Sequence, residues 1–329
     1  MQTKISQLYK DKTILITGGS GYIGSSLTNQ LSEIDCNLKV LTRSSSWRPK
    51  AKNANLVLIS GDVSDFSFWD TILDDVDYIF HLASVEEDIN NYKREIEINA
   101  ISILHLLNVC KNKDLSPKII FASSANIFGN ASSLPINEDF SDNPASLWSI
   151  NKLLVEQYLK LYYYKFNINS VSLRLPNVYG VASNIETNNR TVINNVISSA
   201  LNGKELLLYK NHNCIRDYIY IDDAVSAFLF AGSMKKNILK GQFYVVGSEE
   251  GNLISDVWGL ISKIVSKKIG KVVTIRNDAY FQLEPREVRN FVANSSNFKN
   301  LTGWNSKVSL EKGIKITVDE IYDSSFTNI

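Results

Sequence analysis

Along the first half of the chain, short apolar runs alternate with longer stretches whose apolar residues recur at helical spacing. Thr13–Thr17 (TILIT) reads as a buried strand, and residues 38–42, 56–60, 78–82, 118–123 and 170–174 repeat the pattern. Helical stretches at 22–34, 66–73, 90–111 and 146–165 separate them. This alternation predicts an α/β fold, a doubly wound parallel sheet wrapped by helices.

Two helices carry more apolar residues than one buried face needs. Residues 98–109 include Ile98, Ile101, Ile103, Leu104, Leu106, Leu107 and Val109; residues 147–162 include Trp148, Ile150, Leu153, Leu154, Val155, Tyr158, Leu159 and Leu161. A helix apolar nearly all round needs partners on two sides. One is the sheet; the other is either more of the same chain or a second subunit, and the expectation here is a homodimer through these two helices. After Val178 the alternation fades and Asn/Ser/Gly-rich segments (183–191, 210–213, 247–252) separate shorter elements. The predicted division is a Rossmann domain over 1–178, with 213–247 returning to it and 242–246 as its last strand. A smaller α/β lobe is expected from 179–212 and 248–329.

Bulk properties narrow the function classes. The 329 residues are 44% hydrophobic and 21% charged, with a formal net charge of +1. That composition fits a folded globular chain, and so even a charge balance predicts neither a nucleic-acid nor a membrane partner. Cys36, Cys110 and Cys214 are odd in number and lack C-x-x-C spacing, as expected in a reducing compartment. Residues 1–11 are polar, and no apolar stretch is long enough to cross a bilayer, so the expected location is cytoplasmic. His81, His105 and His212 are scattered, and no metal site is predicted.

The sharpest motif is Thr17-Gly18-Gly19-Ser20-Gly21-Tyr22-Ile23-Gly24, set between the first strand and the first helix. Gly18 is expected to allow the tight turn, Gly21 to let backbone approach a pyrophosphate, and Gly24 to bring helix and sheet together. The helix start then offers free N–H groups to phosphate. At the end of the second strand an NAD site usually carries a carboxylate for the ribose hydroxyls. Here Thr42 is followed by Arg43, Ser44, Ser45 and Ser46, with no acid. A guanidinium fork and hydroxyls suit a 2′-phosphate, so NADP(H) is favoured over NAD(H).

With these residues in view, the chain resembles an extended short-chain dehydrogenase/reductase of the nucleotide-sugar epimerase/dehydratase family, over nearly its whole length. Gly61-Asp62-Val63 matches the segment whose Asp holds the adenine, and His81-Leu82-Ala83-Ser84 the strand end beside the cofactor. Ser123-Ser124-Ala125-Asn126-Ile127-Phe128-Gly129 resembles S-[ST]-x-x-V-Y-G, which implies an active-site role for Ser124. Arg174-Leu175-Pro176-Asn177-Val178-Tyr179-Gly180 resembles R-x-x-N-V-Y-G, whose Asn touches the sugar nucleotide. Arg216-Asp217-Tyr218-Ile219-Tyr220-Ile221-Asp222-Asp223 is similar to the signature whose Arg contacts the nucleotide diphosphate. Taken from the residues alone, Arg216 has two readings, a phosphate contact or a plain salt bridge with Asp217.

The departures matter as much. The family's catalytic pair is a Tyr four residues before a Lys. Lys152 stands at the Lys position, where the resemblance implies both a catalytic and a cofactor-binding role, but Trp148 stands at the Tyr position. An indole N–H donates a hydrogen bond but neither accepts one nor ionises in the working range, so it is no general base. Three readings stay open. Glu86, Glu87, Tyr179 or Lys152 itself takes over proton transfer; or carbonyl polarisation and hydride delivery suffice with water as proton source; or the protein binds its ligands without catalysis. Ala125-Asn126 replaces the Asp-Glu of the dehydratases and the Cys of the epimerase-reductases. In Glu284-Pro285-Arg286-Glu287-Val288-Arg289 the expected first Arg is missing, which leaves Arg286 or Arg289 for the substrate diphosphate. The leading expectation is an NADP(H)-dependent reductase of a nucleotide-linked 4-keto-hexose, in surface polysaccharide or deoxysugar synthesis. A nucleotide-sugar 4-epimerase and a non-catalytic dinucleotide-binding sensor are the alternatives.

Overall fold

A computed structural model of the chain describes residues 2–44, 46–49, 51–85, 90–278 and 287–326. At its centre is a parallel sheet of seven strands: β1 Thr13–Thr17, β2 Asn37–Thr42, β3 Asn55–Ser60, β4 Tyr78–His81, β5 Lys118–Ser124, β6 Ser170–Leu175 and β7 Gln242–Val245. They lie in the order β7-β6-β5-β4-β1-β2-β3. The chain winds outward from β1 in both directions, so a crevice opens at the carboxyl ends of β1 and β4, where ligands bind in such sheets. There Thr17 pairs in register with His81 on one side and Leu41 on the other.

Side-chain alternation divides the core. Ile14, Ile16, Phe80 and Ile120 point into one apolar cluster, whereas Leu15, Ile79, Ile119 and Phe121 point into the other. The first is covered by helices Tyr22–Leu31 and Ile221–Ser233, the second by Phe66–Ile72, Ser102–Asn112 and Leu147–Phe166. This burial on both faces is why the strands read as unbroken apolar runs.

The predicted elements appear with shifted ends. The helix expected to reach 34 stops at Leu31, because Ser32 turns its hydroxyl back onto the Asn29 carbonyl. The stretch expected as one helix over 90–111 is Tyr92–Ile96, a π-helical turn Glu97–Ile101, then Ser102–Asn112. Leu147–Phe166 starts at a reciprocal cap, Ser146 Oγ accepting from Ser149 N while Ser149 Oγ accepts from Ser146 N. Its outer face leaves Ile150, Leu161, Tyr164 and Phe166 exposed. Beyond β6 the chain builds helices Val192–Leu201, Ile254–Ile269 and Leu310–Phe326 beside short strand pairs, one of them joining 206–208 to 275–277. Among the described residues, no helix is long and apolar enough to cross a membrane.

Candidate active site

The glycine loop is built by crowding. Gly18 has φ +67°, and a Cβ there would meet the Ala83 backbone nitrogen at 2.8 Å. Thr17 Oγ1 fixes that approach by accepting from the N–H groups of Leu82 and Ala83, both at 3.2 Å. A Cβ on Gly24 would lie 2.1 Å from the Gly18 carbonyl oxygen, so this glycine admits the loop itself rather than the sheet. Helix Tyr22–Leu31 begins at Gly21 with no side-chain cap, which leaves its first N–H groups free of a side-chain acceptor. The arrangement is a cradle for phosphate.

Above it runs a cleft of 990 Å³. Its walls are the glycine loop with Tyr22 and Ile23, then Arg43 and Ser44 after β2, Asp62 and Val63 after β3, and Leu82, Ala83 and Ser84 after β4. Asn126, Trp148 and the segment 190–192 close it. Thr42 Oγ1 accepts from Ser44 N at 3.0 Å and donates to Ser20 Oγ at 2.6 Å, tying the loop after β2 to the glycine loop. Asp62 accepts from Ser64 and from Arg94. Burial works against the carboxylate, but these donors outweigh it and hold its pKa at about 2. Arg43 and Arg190 have no carboxylate partner among the described residues. The cleft therefore has two unpaired cations and a neutralised acid.

At the inner end, Trp148 donates from Nε1 to Ser84 Oγ at 3.1 Å, and Ser84 donates to Asn99 Oδ1 at 2.9 Å. Lys152 is buried behind the indole. Its Nζ donates to the Ala122 carbonyl at 2.9 Å and lies 4.8 Å from the Phe121 ring centre and 5.3 Å from that of Trp148. Burial pushes its pKa down to about 7, against the smaller pull of Glu156. Neither Lys152 nor Ser124 forms part of the cleft surface; Ser124 is buried and its Oγ accepts from Asn126 N at 3.1 Å. His81 is a packed strand residue, its Nδ1 3.1 Å from Thr17 Oγ1 and its pKa driven to about 3 by burial and then by Lys152.

A second cavity of 350 Å³ adjoins this end and shares Asn126 with the cleft. It is lined by Asn130, Asn143, Ser146, Ser149 and Arg289, among others. Arg289 is buried, with Nη2 donating to Asn126 Oδ1 and Nη1 without a partner. Burial, and after it the charge of Arg216, lowers its pKa to about 9. Arg216 does not form the alternative salt bridge with Asp217. It donates to the carbonyls of Ile215 and Glu287 at 3.3 and 2.8 Å, while Asp217 accepts from Ser248, Glu249 and Ala293.

Other expectations need correction or fall elsewhere. Tyr179 is no acid or base for the site: it is buried in the core, donates to the Leu310 carbonyl at 3.3 Å, and burial raises its pKa. Asn177 sits in the short strand Asn177–Tyr179, paired with Tyr218–Tyr220, and lines neither cavity. Glu86, Glu87 and Arg286 lie outside the described residues. Sequence reasoning passed over Asn126, Arg190 and Asn99 as site residues. None stands in a spacing that marks it; only the fold brings them to the cleft or its support.

The parallel sheet, the glycine cradle and the crevice define a Rossmann-type dinucleotide fold. Residues 14–247 match the model of the NAD dependent epimerase/dehydratase family, and the chain belongs to that family. It is 26% identical over 321 residues, 95% of this chain and 100% of the other, to a putative UDP-glucose 4-epimerase of Methanocaldococcus jannaschii. It superposes on UDP-glucose 4-epimerase from Thermotoga maritima, solved with UDP-glucose, with a TM-score of 0.80, 26% identity and coverage of 96% of this chain and 99% of that one. UDP-glucuronic acid 4-epimerase from Bacillus cereus, solved with NAD, gives a TM-score of 0.78, 26% identity and coverage of 95% and 99%. The residues present fit a dinucleotide: the uncapped helix start offers N–H groups to a pyrophosphate, and Gly18 and Gly24, which leave no room for a Cβ, let the loop fold tightly enough to present them.

Proposed function

We propose that the protein oxidises and re-reduces C4 of a UDP-linked hexose, acting as a nucleotide-sugar 4-epimerase. The observation that carries this reading is the meeting of two cavities, a dinucleotide-sized cleft and a smaller polar one, at Asn126 and beside Trp148. Hydride transfer needs its two partners in contact, and this junction brings the two ligands side by side.

Gly18, Gly21, Tyr22, Ile23 and Gly24 would hold the dinucleotide phosphates, Asp62 and Val63 its adenosine end, and Leu82 and Ala83 its path inward. A bound nicotinamide would supply the hydride acceptor. Lys152 lies behind the Trp148 ring and off the cleft surface, so in its amine form it would take the proton of the sugar 4-hydroxyl through an intervening water, and its ammonium would return that proton when the 4-keto carbon is reduced. A lysine buried among aromatics is suited to this, because desolvation lets it exchange protons near neutral pH. Trp148 forms an aromatic wall, its N–H held by Ser84. The 190–192 segment on the cleft wall and the polar residues of the smaller cavity bind the hexose and its diphosphate.

Arg43, on the cleft wall and without a carboxylate partner among the described residues, supports NADP(H) over NAD(H). The same cation favours a second reading, an NADPH-dependent reductase of a 4-keto-hexose, in which the cofactor exchanges each turnover. The exposed apolar face of Leu147–Phe166 supports a homodimer through that helix and its neighbour over 98–109.

The test is to incubate the purified protein with UDP-glucose, UDP-N-acetylglucosamine or UDP-glucuronate, each with NAD+ or NADP+, and to follow the anomeric proton signals by NMR. Appearance of the C4 epimer supports the first reading. NADPH consumption with a UDP-4-keto-hexose and no epimer moves the function to the second, and silence in both assays removes both.

A further inference from the structure

The smaller cavity is an unusual place to keep a bare cation. Among the described residues no acidic side chain lines it; its polar surface there comes from Asn126, Asn130, Asn143, Ser146, Ser149 and Arg289. Arg289 is 7% exposed, and its Nη1 is buried with no hydrogen-bond partner. Its one side-chain acceptor among the described residues is the neutral Asn126 amide. A buried charge without a counter-ion is costly, and a donor-rich pocket around it is what an anion completes. Asn126 also lines the dinucleotide cleft, and Ser146 and Ser149 flank Trp148 on the same helical turn. The part of a nucleotide sugar that reaches this position is the hexose, since hydride moves at its ring. The 190–192 segment on the cleft wall is left for the diphosphate.

We propose that this cavity is the subsite for a carboxylate carried by the sugar ring, so that the preferred substrate is an acidic hexose of the hexuronate class, held through the Arg289 guanidinium. This rests on the nucleotide-sugar reading above. Asn126 is the positioning residue: it fixes the guanidinium from one side without neutralising it, which leaves the charge for the ligand.

The experiment is calorimetric titration of the purified full chain, with NAD+ or NADP+ present, by UDP, UDP-glucose and UDP-glucuronate. UDP-glucuronate is expected to bind about tenfold or more tightly than UDP-glucose. In Arg289→Met that advantage disappears while UDP affinity changes less than about twofold. Asn126→Asp serves as a second variant of nearly unchanged size. It places a carboxylate on the same guanidinium and removes the advantage even if the Met variant folds poorly. Equal binding of the two sugars, or a parallel loss of all three ligands in Arg289→Met, assigns Arg289 to the diphosphate and overturns the inference while sparing the broader reading. No binding by any of the three overturns both.

Discussion

The indole of Trp148 and the hydroxyl of Ser84 are joined by a 3.1 Å hydrogen bond across the inner end of the cofactor cleft. Helix Leu147–Phe166 contributes Trp148, the loop after β4 contributes Ser84, and Asn99 anchors the pair by accepting from Ser84 at 2.9 Å. Trp148→Tyr puts an ionisable phenol one helical turn before Lys152 with the same neighbour in reach. Turnover of the nucleotide sugar is expected to rise at least about tenfold, a modest share of what a placed general base contributes. Trp148→Phe keeps the wall, loses one hydrogen bond of about 1 kcal/mol, and should leave kcat within about threefold. Steady-state kinetics on the three proteins checks this; a faster Phe variant would show that the indole obstructs the site.

Lys152 gives the activity a pH signature. With a pKa lowered to about 7, the amine needed for oxidation accumulates as pH rises through 7, and the ammonium needed for reduction disappears over the same range. The oxidative half-reaction is expected to quicken from pH 6 to 8 and the reductive one to slow, measured by single-turnover absorbance at about 340 nm. Stability carries the same sign. The unfolded lysine titrates near 10.5, so between about 7 and 10.5 the unfolded chain holds more protons and this group makes the fold more stable as pH rises. Lys152→Met abolishes both slopes; a variant retaining the kinetic one would move proton transfer elsewhere.

Arg43 is exposed at the end of β2 and lacks a carboxylate partner among the described residues. Arg43→Ala is expected to weaken NADPH by about tenfold and NADH by less than about twofold, since only the former has a 2′-phosphate for the guanidinium. Fluorescence titration of the reduced cofactors measures both. Equal effects would place Arg43 on the shared pyrophosphate.

Arg174 is fully buried, clamped between the rings of Phe243 and Phe128, and ion-paired with Glu156 and Asp142 at 2.6 Å each. Asp142 begins the segment that carries Asn143, Ser146 and Ser149 to the small cavity. Glu156→Gln leaves the buried cation half-neutralised and should cost about 3 kcal/mol by chemical denaturation. KM should rise with it, as the cavity wall loosens. A stable variant with a raised KM would separate positioning from folding.

Much of this was legible in the sequence because it is local. Thr17 to Gly24 follows a buried strand and opens a helix, so its shape is written within a dozen neighbouring residues. The loss of the tyrosine was legible for the same reason, through the four-residue spacing to Lys152. What was hidden is long-range. Asn126 meets Arg289 across 163 positions, and nothing near either residue announces the pair. Arg94 reaches back to Asp62 from a helix whose π-helical turn no periodicity predicts. Arg190 lies in an Asn-rich stretch without apolar rhythm, and only the fold carries it to the cleft. Tyr179 was misread because a motif names a residue without its direction, and pairing with Tyr218–Tyr220 turns this one into the core.

Asn126 stands in the wall of both cavities, one side chain with two rooms on either side of it. Any occupant that shifts its amide alters the surface met by the other occupant and the grip on Arg289 together. Two ligands bound in these cavities would feel each other through a shared partition. By reciprocity, whatever factor the dinucleotide lends to the sugar, the sugar must lend back to the dinucleotide.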